Sequence, residues 1–139
     1  MNILIGISWP FANGDLHIGH VASSLPGDVI ARYHRLKGNH VILVSGSDCH
    51  GTPIDVKALQ EKKTPKEIVD ICHKNFLKDF KDLGFSFDLY NRTDDPYHKN
   101  FVKEQFKKYY DYGYLYEKEE EQLYCEQCNL FLADRYIIG

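Results

Sequence analysis

The order strand, loop, helix, strand within residues 2 to 44 constrains this chain more than any other feature of its sequence. Asn2 to Ser8 is a short Ile-rich apolar run closed by Trp9-Pro10. A proline cannot join a hydrogen-bonded ladder, so the run reads as a buried parallel strand that stops there. Val21, Leu25, Val29, Tyr33 and Leu36 then recur with the helical period; Pro26 is expected to kink or loosen that helix, and Gly38 to end it. His40 to Val44 is a second short apolar strand. Two strands joined in this way imply a right-handed crossover and a parallel sheet, and such sheets take ligands beyond the carboxyl ends of their strands. Segments 8–20 and 45–53 both follow strands and are the candidate site loops.

A helix is expected from Pro53 to about Lys62. Thr64-Pro65-Lys66-Glu67 then has the form of a capping box with proline at the first helical position. Ile68, Cys72, Phe76, Phe80 and Leu83 make one stripe of the helix it opens, and Gly84 ends it. Phe85, Phe87 and Leu89 alternate with Ser86, Asp88 and Tyr90 as in a half-buried strand. Asp94 or Asp95 is placed to cap a helix from Pro96 to about Tyr112, closed by Gly113. From Tyr114 the composition turns to Tyr, Glu, Lys and Gln. A boundary near Leu115 is therefore expected, between a catalytic-type domain, 1–115, and the start of an inserted module, 116–139. The predicted class is α/β, a Rossmann-type nucleotide-binding parallel sheet with flanking helices, followed by the start of a zinc-ribbon-like insertion.

Composition excludes several functions. With 43% hydrophobic and 27% charged residues the chain is built to fold rather than to stay disordered. Its net charge of -3, with basic and acidic residues interspersed, provides no basic stripe of the kind that grips DNA or RNA. No basic leader precedes an apolar core at Met1 to Ile7, and no window approaches the about 20 apolar residues of a bilayer span, so a cytoplasmic location is expected and no membrane or DNA partner.

His17-Ile18-Gly19-His20 stands where the first loop becomes a helix. The N–H groups and dipole of a helix start favour an anion such as phosphate, the two histidines share one face, and Gly19 lets a nucleotide lie against the backbone. Taken alone, so short a motif is more often coincidence than site; its place after the first strand reverses that balance.

The motif is preceded by Pro10-Phe11-Ala12-Asn13-Gly14, and the whole block closely resembles the signature region of methionyl-tRNA synthetases, a family of class I aminoacyl-tRNA synthetases. Asp48-Cys49-His50-Gly51-Thr52-Pro53 resembles a second block of that family. Phe131-Leu132-Ala133-Asp134-Arg135-Tyr136 resembles a third, in its zinc-bearing insertion. The resemblance implies an enzyme that activates methionine with ATP and Mg2+ to methionyl-adenylate and passes the methionyl group to tRNA(Met). It implies that His17 and His20 stabilise the charge developing on the α-phosphate, that Gly19 seats the adenine, and that Asn13 and Gly14 make secondary ATP contacts. Asp48 would pair with the α-ammonium of methionine, and Ser8, Trp9 and Phe11 would line its side-chain pocket. Many relatives carry Leu and Tyr where Trp9 and Phe11 stand, so a tyrosine hydroxyl is missing there. On their own residues, Asp48 also reads as a turn residue, Trp9 and Phe11 as core, and His50, Gly51, Thr52 and Pro53 as a turn and helix cap.

Cys49 and Cys72 stand alone, whereas Cys125 and Cys128 form a C-x-x-C. That pair is half of a tetrahedral zinc site or a redox pair, and it lacks the strand-to-helix setting of the redox motif. With only half the ligands present, weak or no zinc binding is expected of these residues alone. The family's Lys-Met-Ser-Lys-Ser loop has no counterpart here, so the 139 residues by themselves are expected to be nearly inactive. Three readings stay open at this point: the catalytic part of a methionine–tRNA ligase, a truncated module that binds ATP and methionine without catalysis, and a part of another class I synthetase.

Overall fold

A computed structural model describes residues 1–127 and 129–131. The chain divides into two compact units, Met1–Asp95 and Pro96–Gly139. The division falls before the Pro96 helix rather than near Leu115, where composition alone suggested it.

The first unit is a three-stranded parallel sheet with helices between its strands. β1 (Asn2–Gly6), β2 (His40–Ser47) and β3 (Leu89–Arg92) lie in that order, so β2 is central. Register pairs Asn2 with His40 through Gly6 with Val44, and Val44 with Leu89 through Ser47 with Arg92. α1 (Ile18–Leu36) makes the first crossover, while α2 (Thr52–Glu61) and α3 (Pro65–Asp82) make the second. α1 runs unbroken through Pro26; Pro26 and Ala22 are both exposed, so the Ala22 carbonyl that loses its helical partner stays hydrated. Gly38, at φ +78, takes the left-handed conformation that turns α1 into β2.

β1 is not buried on both faces. Ile3, Ile5 and Ile7 pack with Val41, Leu43, Ala31 of α1 and Phe87, but Leu4 is 71% exposed. β1 is an edge strand of this sheet, and the face bearing Leu4, Ile42 and Leu89 lies open. A second apolar cluster sits at the carboxyl ends of the strands, where Ile54 and Ala58 of α2 meet Ile68, Val69, Cys72, Phe76 and Phe80 of α3, Ala12 and Cys49. The α3 capping box is present: Glu67 accepts from the Thr64 N–H at 2.7 Å and its own N–H donates to Thr64 Oγ1 at 3.2 Å. Leu83 falls just beyond the helix and is exposed, so the stripe ends at Phe80.

The alternation over 85–90 marks aromatic packing rather than a strand of that extent. Phe85 and Phe87 close on Phe80 with ring centroids 4.9 Å and 5.3 Å away, and the ladder starts only at Leu89. Asp88 prepares it, donating its N–H to Leu43 O at 2.9 Å and accepting the Leu43 N–H on Oδ2 at 2.7 Å. This segment is clamped to α1. Asp28, 4% exposed, accepts from the Ser86 N–H at 2.7 Å and hydroxyl at 2.6 Å, and from Arg32 Nε at 2.6 Å. Arg35 donates to Ser86 Oγ and to Asp88 Oδ2.

In the second unit, α4 (Pro96–Asp111) ends at Gly113, whose φ is +74. β4 (Tyr124–Cys125) and β5 (Leu130–Phe131) form a short antiparallel pair, with the Tyr124 and Phe131 rings meeting edge to face at a centroid distance of 4.9 Å. Cys125 of the C-x-x-C closes β4; Cys128, and residues 132–139 with all of the third family-like block after Phe131, lie outside the described residues. Among the described residues no helix is long and apolar enough to cross a membrane.

Candidate functional site

The two loops predicted to form the site are joined strand to strand. Past the end of β1, Ile7 N–H still donates to Val44 O at 2.9 Å, and a further parallel bridge pairs Phe11 with Asp48. Asp48 N–H donates to Pro10 O, and Ala12 N–H to Asp48 O, each at 2.8 Å. Ser8-Trp9-Pro10-Phe11 is thereby fixed beside Asp48 by backbone bonds that no side-chain change removes. Trp9 lies against the backbone of β2: a Cβ on Gly46 would stand 2.6 Å from the indole and 2.3 Å from Asn91 O, so only glycine fits beneath that ring.

At the start of α1 the paired histidines cap the helix themselves. His17 is the N-cap in extended conformation; its Nδ1 accepts the Gly19 N–H at 3.1 Å, and its own N–H donates to His20 Nδ1 at 3.3 Å. The rings stack with centroids 3.8 Å apart. A nitrogen that accepts a backbone N–H cannot carry a hydrogen, so in each neutral ring the proton sits on Nε2. Burial, and then the neighbouring His17, hold His20 below the ordinary histidine value. The cap therefore turns two acceptors inward and leaves two Nε2–H donors for an anion. Gly19 has a second reason to be glycine, since a Cβ there would stand 2.9 Å from His17 Cε1 and displace the capping ring.

These pieces enclose a cavity of about 230 Å³ lined by Ser8, Trp9, Phe11, His20, Ser23 and Ser24. His17 is exposed beside it, stacked on His20. Neither ring is directed into the apolar interior. Asp48 is half-buried; its Oδ1 accepts from the His50 N–H at 3.2 Å and from the Thr93 hydroxyl at 3.4 Å. Asn13 is half-buried in the loop, while Gly14 borders a different cavity, about 190 Å³, with Asp15, Lys57, Lys63 and Asn75. A third cavity of about 380 Å³, walled by Leu77, Phe80, Phe85, Phe87 and Tyr90, offers only Lys81 as a charged group and holds none of the predicted site residues.

Sequence reading did not single out Ser23 and Ser24, although both lie one turn beyond His20 and share its face. Nor did it find Thr93, or the cluster behind β2 in which buried Ser47 bonds His73 Nδ1 at 2.9 Å and Tyr90 OH at 3.4 Å. Cys49 and Cys72 are both buried. Burial, and then the Asp94 carboxylate, push the Cys49 thiol up to about 11, and burial raises Cys72 likewise, so both thiols stay protonated and unreactive. Among the described residues no group of three or more His, Cys, Asp or Glu could hold a metal ion.

Comparison with known proteins places this site in context. The family model described as tRNA synthetases class I (M) matches residues 3–139. Over all 139 residues the chain is 58% identical to methionine–tRNA ligase 1 of Alkaliphilus oremlandii, covering 26% of that protein. It is 54% identical to the methionine–tRNA ligases of Bacillus mycoides and of Streptococcus pneumoniae, again over its whole length and 26% of theirs. The chain thus spans about a quarter of the length of the curated relatives it matches.

Proposed function

This chain belongs to the class I (M) tRNA synthetase family, and from that premise we propose that it supplies the ATP- and methionine-binding part of a methionine–tRNA ligase. The observation that carries the reading is the position of His20: its ring is stacked on His17 at a helix start, and it lines the same cavity as Ser8, Trp9 and Phe11.

In this reading the ATP lies along the start of α1. The Nε2–H groups of His17 and His20 donate to the α-phosphate, whose charge grows as the methionine carboxylate attacks phosphorus and pyrophosphate leaves. Donors fixed before the reaction need no reorganisation, and losing one costs about 3–4 kcal/mol of barrier in comparable oxyanion sites. The carboxylate attacks already ionised, so neither histidine need remove a proton, and lowering the His20 pKa suits a neutral donor. The indole and phenyl walls of Trp9 and Phe11 suit a thioether, and Asp48 receives the ammonium. Gly19 leaves room for the adenine, with Asn13 and Gly14 as secondary ATP contacts. Mg2+, when bound with ATP, neutralises phosphate charge. Transfer to tRNA(Met) in the cytoplasm completes the reaction.

Cys125 and Cys128 are proposed as two thiolates of a tetrahedral zinc site that needs two more ligands. Metal analysis of the full-length gene product should find about one zinc per chain, lost in Cys125→Ser.

Methionine-dependent ATP–pyrophosphate exchange by the full-length gene product tests the main reading. Exchange that responds to isoleucine, valine, leucine or cysteine but not to methionine would overturn it. Methionine and ATP binding without exchange or tRNA charging would make the protein a non-catalytic binder instead.

A further inference from the structure

Asp48 is held in place at its backbone by Pro10 and Ala12, so the remaining freedom of its carboxylate is rotation of the side chain. Thr93, which follows the last residue of β3, bonds to Ser47, Asp48 and Cys49 at the end of β2. Its N–H donates to Ser47 O at 3.1 Å, its Oγ1 accepts the Cys49 N–H at 2.8 Å, and its hydroxyl stands 3.4 Å from Asp48 Oδ1. A threonine hydroxyl has one hydrogen. Cys49 N–H is itself a donor, so that hydrogen is left for the carboxylate, and the branched side chain, stiff at χ1, keeps it aimed there.

The second donor to Asp48, the His50 N–H, also falls on Oδ1. Among the described residues no donor reaches Oδ2. One carboxylate oxygen is thus tied to protein while the other keeps its full capacity to accept. His50 lies on the same loop as Asp48 and moves with it, whereas Thr93 comes from β3 and ties the carboxylate to the sheet. Behind it, the bonds of Ser47 to His73 and Tyr90 brace the same turn from α3 and β3.

We infer that Thr93 is a positioning residue of the amino-acid site, its hydroxyl turning the Asp48 carboxylate so that the second oxygen meets the ammonium group of the substrate. The inference rests on the assignment of Asp48 in the proposed function, and the test separates the two.

Thr93→Val keeps the shape and removes the hydroxyl. In pyrophosphate exchange by the full-length gene product it should raise the KM for methionine about fivefold, the factor that goes with roughly 1 kcal/mol, the net worth of an ordinary hydrogen bond, since the contact is as long as 3.4 Å. The KM for ATP should not move, and Thr93→Ser should restore the methionine KM. Two inhibitors sharpen the readout: methioninol, which keeps the ammonium group, should weaken in Thr93→Val by the same factor, and 4-(methylthio)butanoate, which lacks it, should not. If Thr93→Val does not fold, Thr93→Ala measured with the same inhibitor pair decides the matter. Equal weakening of both inhibitors, or no change in either while Asp48→Asn raises the methionine KM, overturns the role of Thr93 alone. An unchanged methionine KM in Asp48→Asn overturns the site assignment beneath it.

Discussion

Replacing His17 with asparagine and with glutamine should separate two jobs that one imidazole performs. Its Nδ1 caps α1 through the Gly19 N–H at 3.1 Å, while its Nε2 carries the hydrogen proposed to meet phosphate. Asparagine is among the best N-cap residues and places an acceptor near the position of Nδ1, but has nothing at the position of Nε2. Glutamine reaches the outer position and caps poorly. A lost cap costs about 1 kcal/mol, or about 3–4 °C in melting temperature for a chain of this size. A lost transition-state donor costs a factor of about 100–1,000 in rate. His17→Asn should therefore melt within about 1 °C of the parent protein and lose its exchange activity by that factor, whereas His17→Gln should lose the stability and retain the greater share of the rate. Differential scanning calorimetry of the 139-residue chain and pyrophosphate exchange by the full-length gene product measure the two quantities independently, and nitrogen-15 spectra of the imidazoles should show hydrogen on Nε2 in both rings. An asparagine variant that keeps full exchange, or two variants that fall together in both assays, would refute this division of labour.

Gly46→Ala should cost about 1–3 kcal/mol by urea denaturation, because its Cβ meets Asn91 O at 2.3 Å and neither strand can yield; methionine affinity, read by calorimetric titration, should fall with the displaced Trp9 ring. Asp28→Ala leaves the Ser86 N–H without its acceptor, and a loss of about 2–3 kcal/mol is expected, toward the lower end for a broken buried pair because the Arg32 side chain is 52% exposed and can hydrate. Stability should also fall as acid is added. His73 is held below the usual 6.5 by burial and then by Arg92, and His20 by burial and then by His17, so the folded chain binds fewer protons than the unfolded one. Their contribution is complete above 6.5 and is lost as pH drops below it; a urea midpoint that stays flat from pH 8 to 5, or is no flatter in His73→Gln, would contradict this.

The parts of the fold that sequence exposes are those in which local chemistry and tertiary position agree. Thr64 to Glu67 is one such place, because the cap is made by side chains within the same turn. The apolar runs at 2–8 and 40–44 are another, since a parallel strand needs such a run whatever lies around it. The strand expected at 85–90 shows where agreement ends. Phe85 and Phe87 alternate as strand residues do, yet their rings are drawn to Phe80 on α3 and Ser86 is drawn to Asp28 on α1, and neither attraction leaves a periodic trace. Nor could composition place the division of the chain, because α4 carries the same mixture of aromatic and charged residues whichever unit it joins.

The candidate site divides along the same line, and the division has a physical cause. The residues proposed to meet the ligand, His17, His20, Ser8 and Asp48, fall in two short segments, because a parallel sheet delivers its strand ends to one edge and each segment holds its groups in nearby residues. His17 and His20 are held by bonds within their own turn, whereas the support that Asp48 and Ser47 receive from other elements is distant in the chain. Thr93, His73 and Tyr90 reach Asp48 and Ser47 from β3 and α3, separated from them by twenty-five or more residues of chain. Their chemistry is ordinary, a hydroxyl, an imidazole and a phenol with no motif around them, and only the return of the chain through α2 and α3 to a parallel β3 brings them to Asp48 and Ser47. For the same reason, substitution of Thr93 should change how well the substrate is oriented before it changes whether the protein folds: the clusters around Leu43 and Phe76 that hold the sheet and helices together do not include Thr93, whereas Tyr90 packs against the one around Phe76.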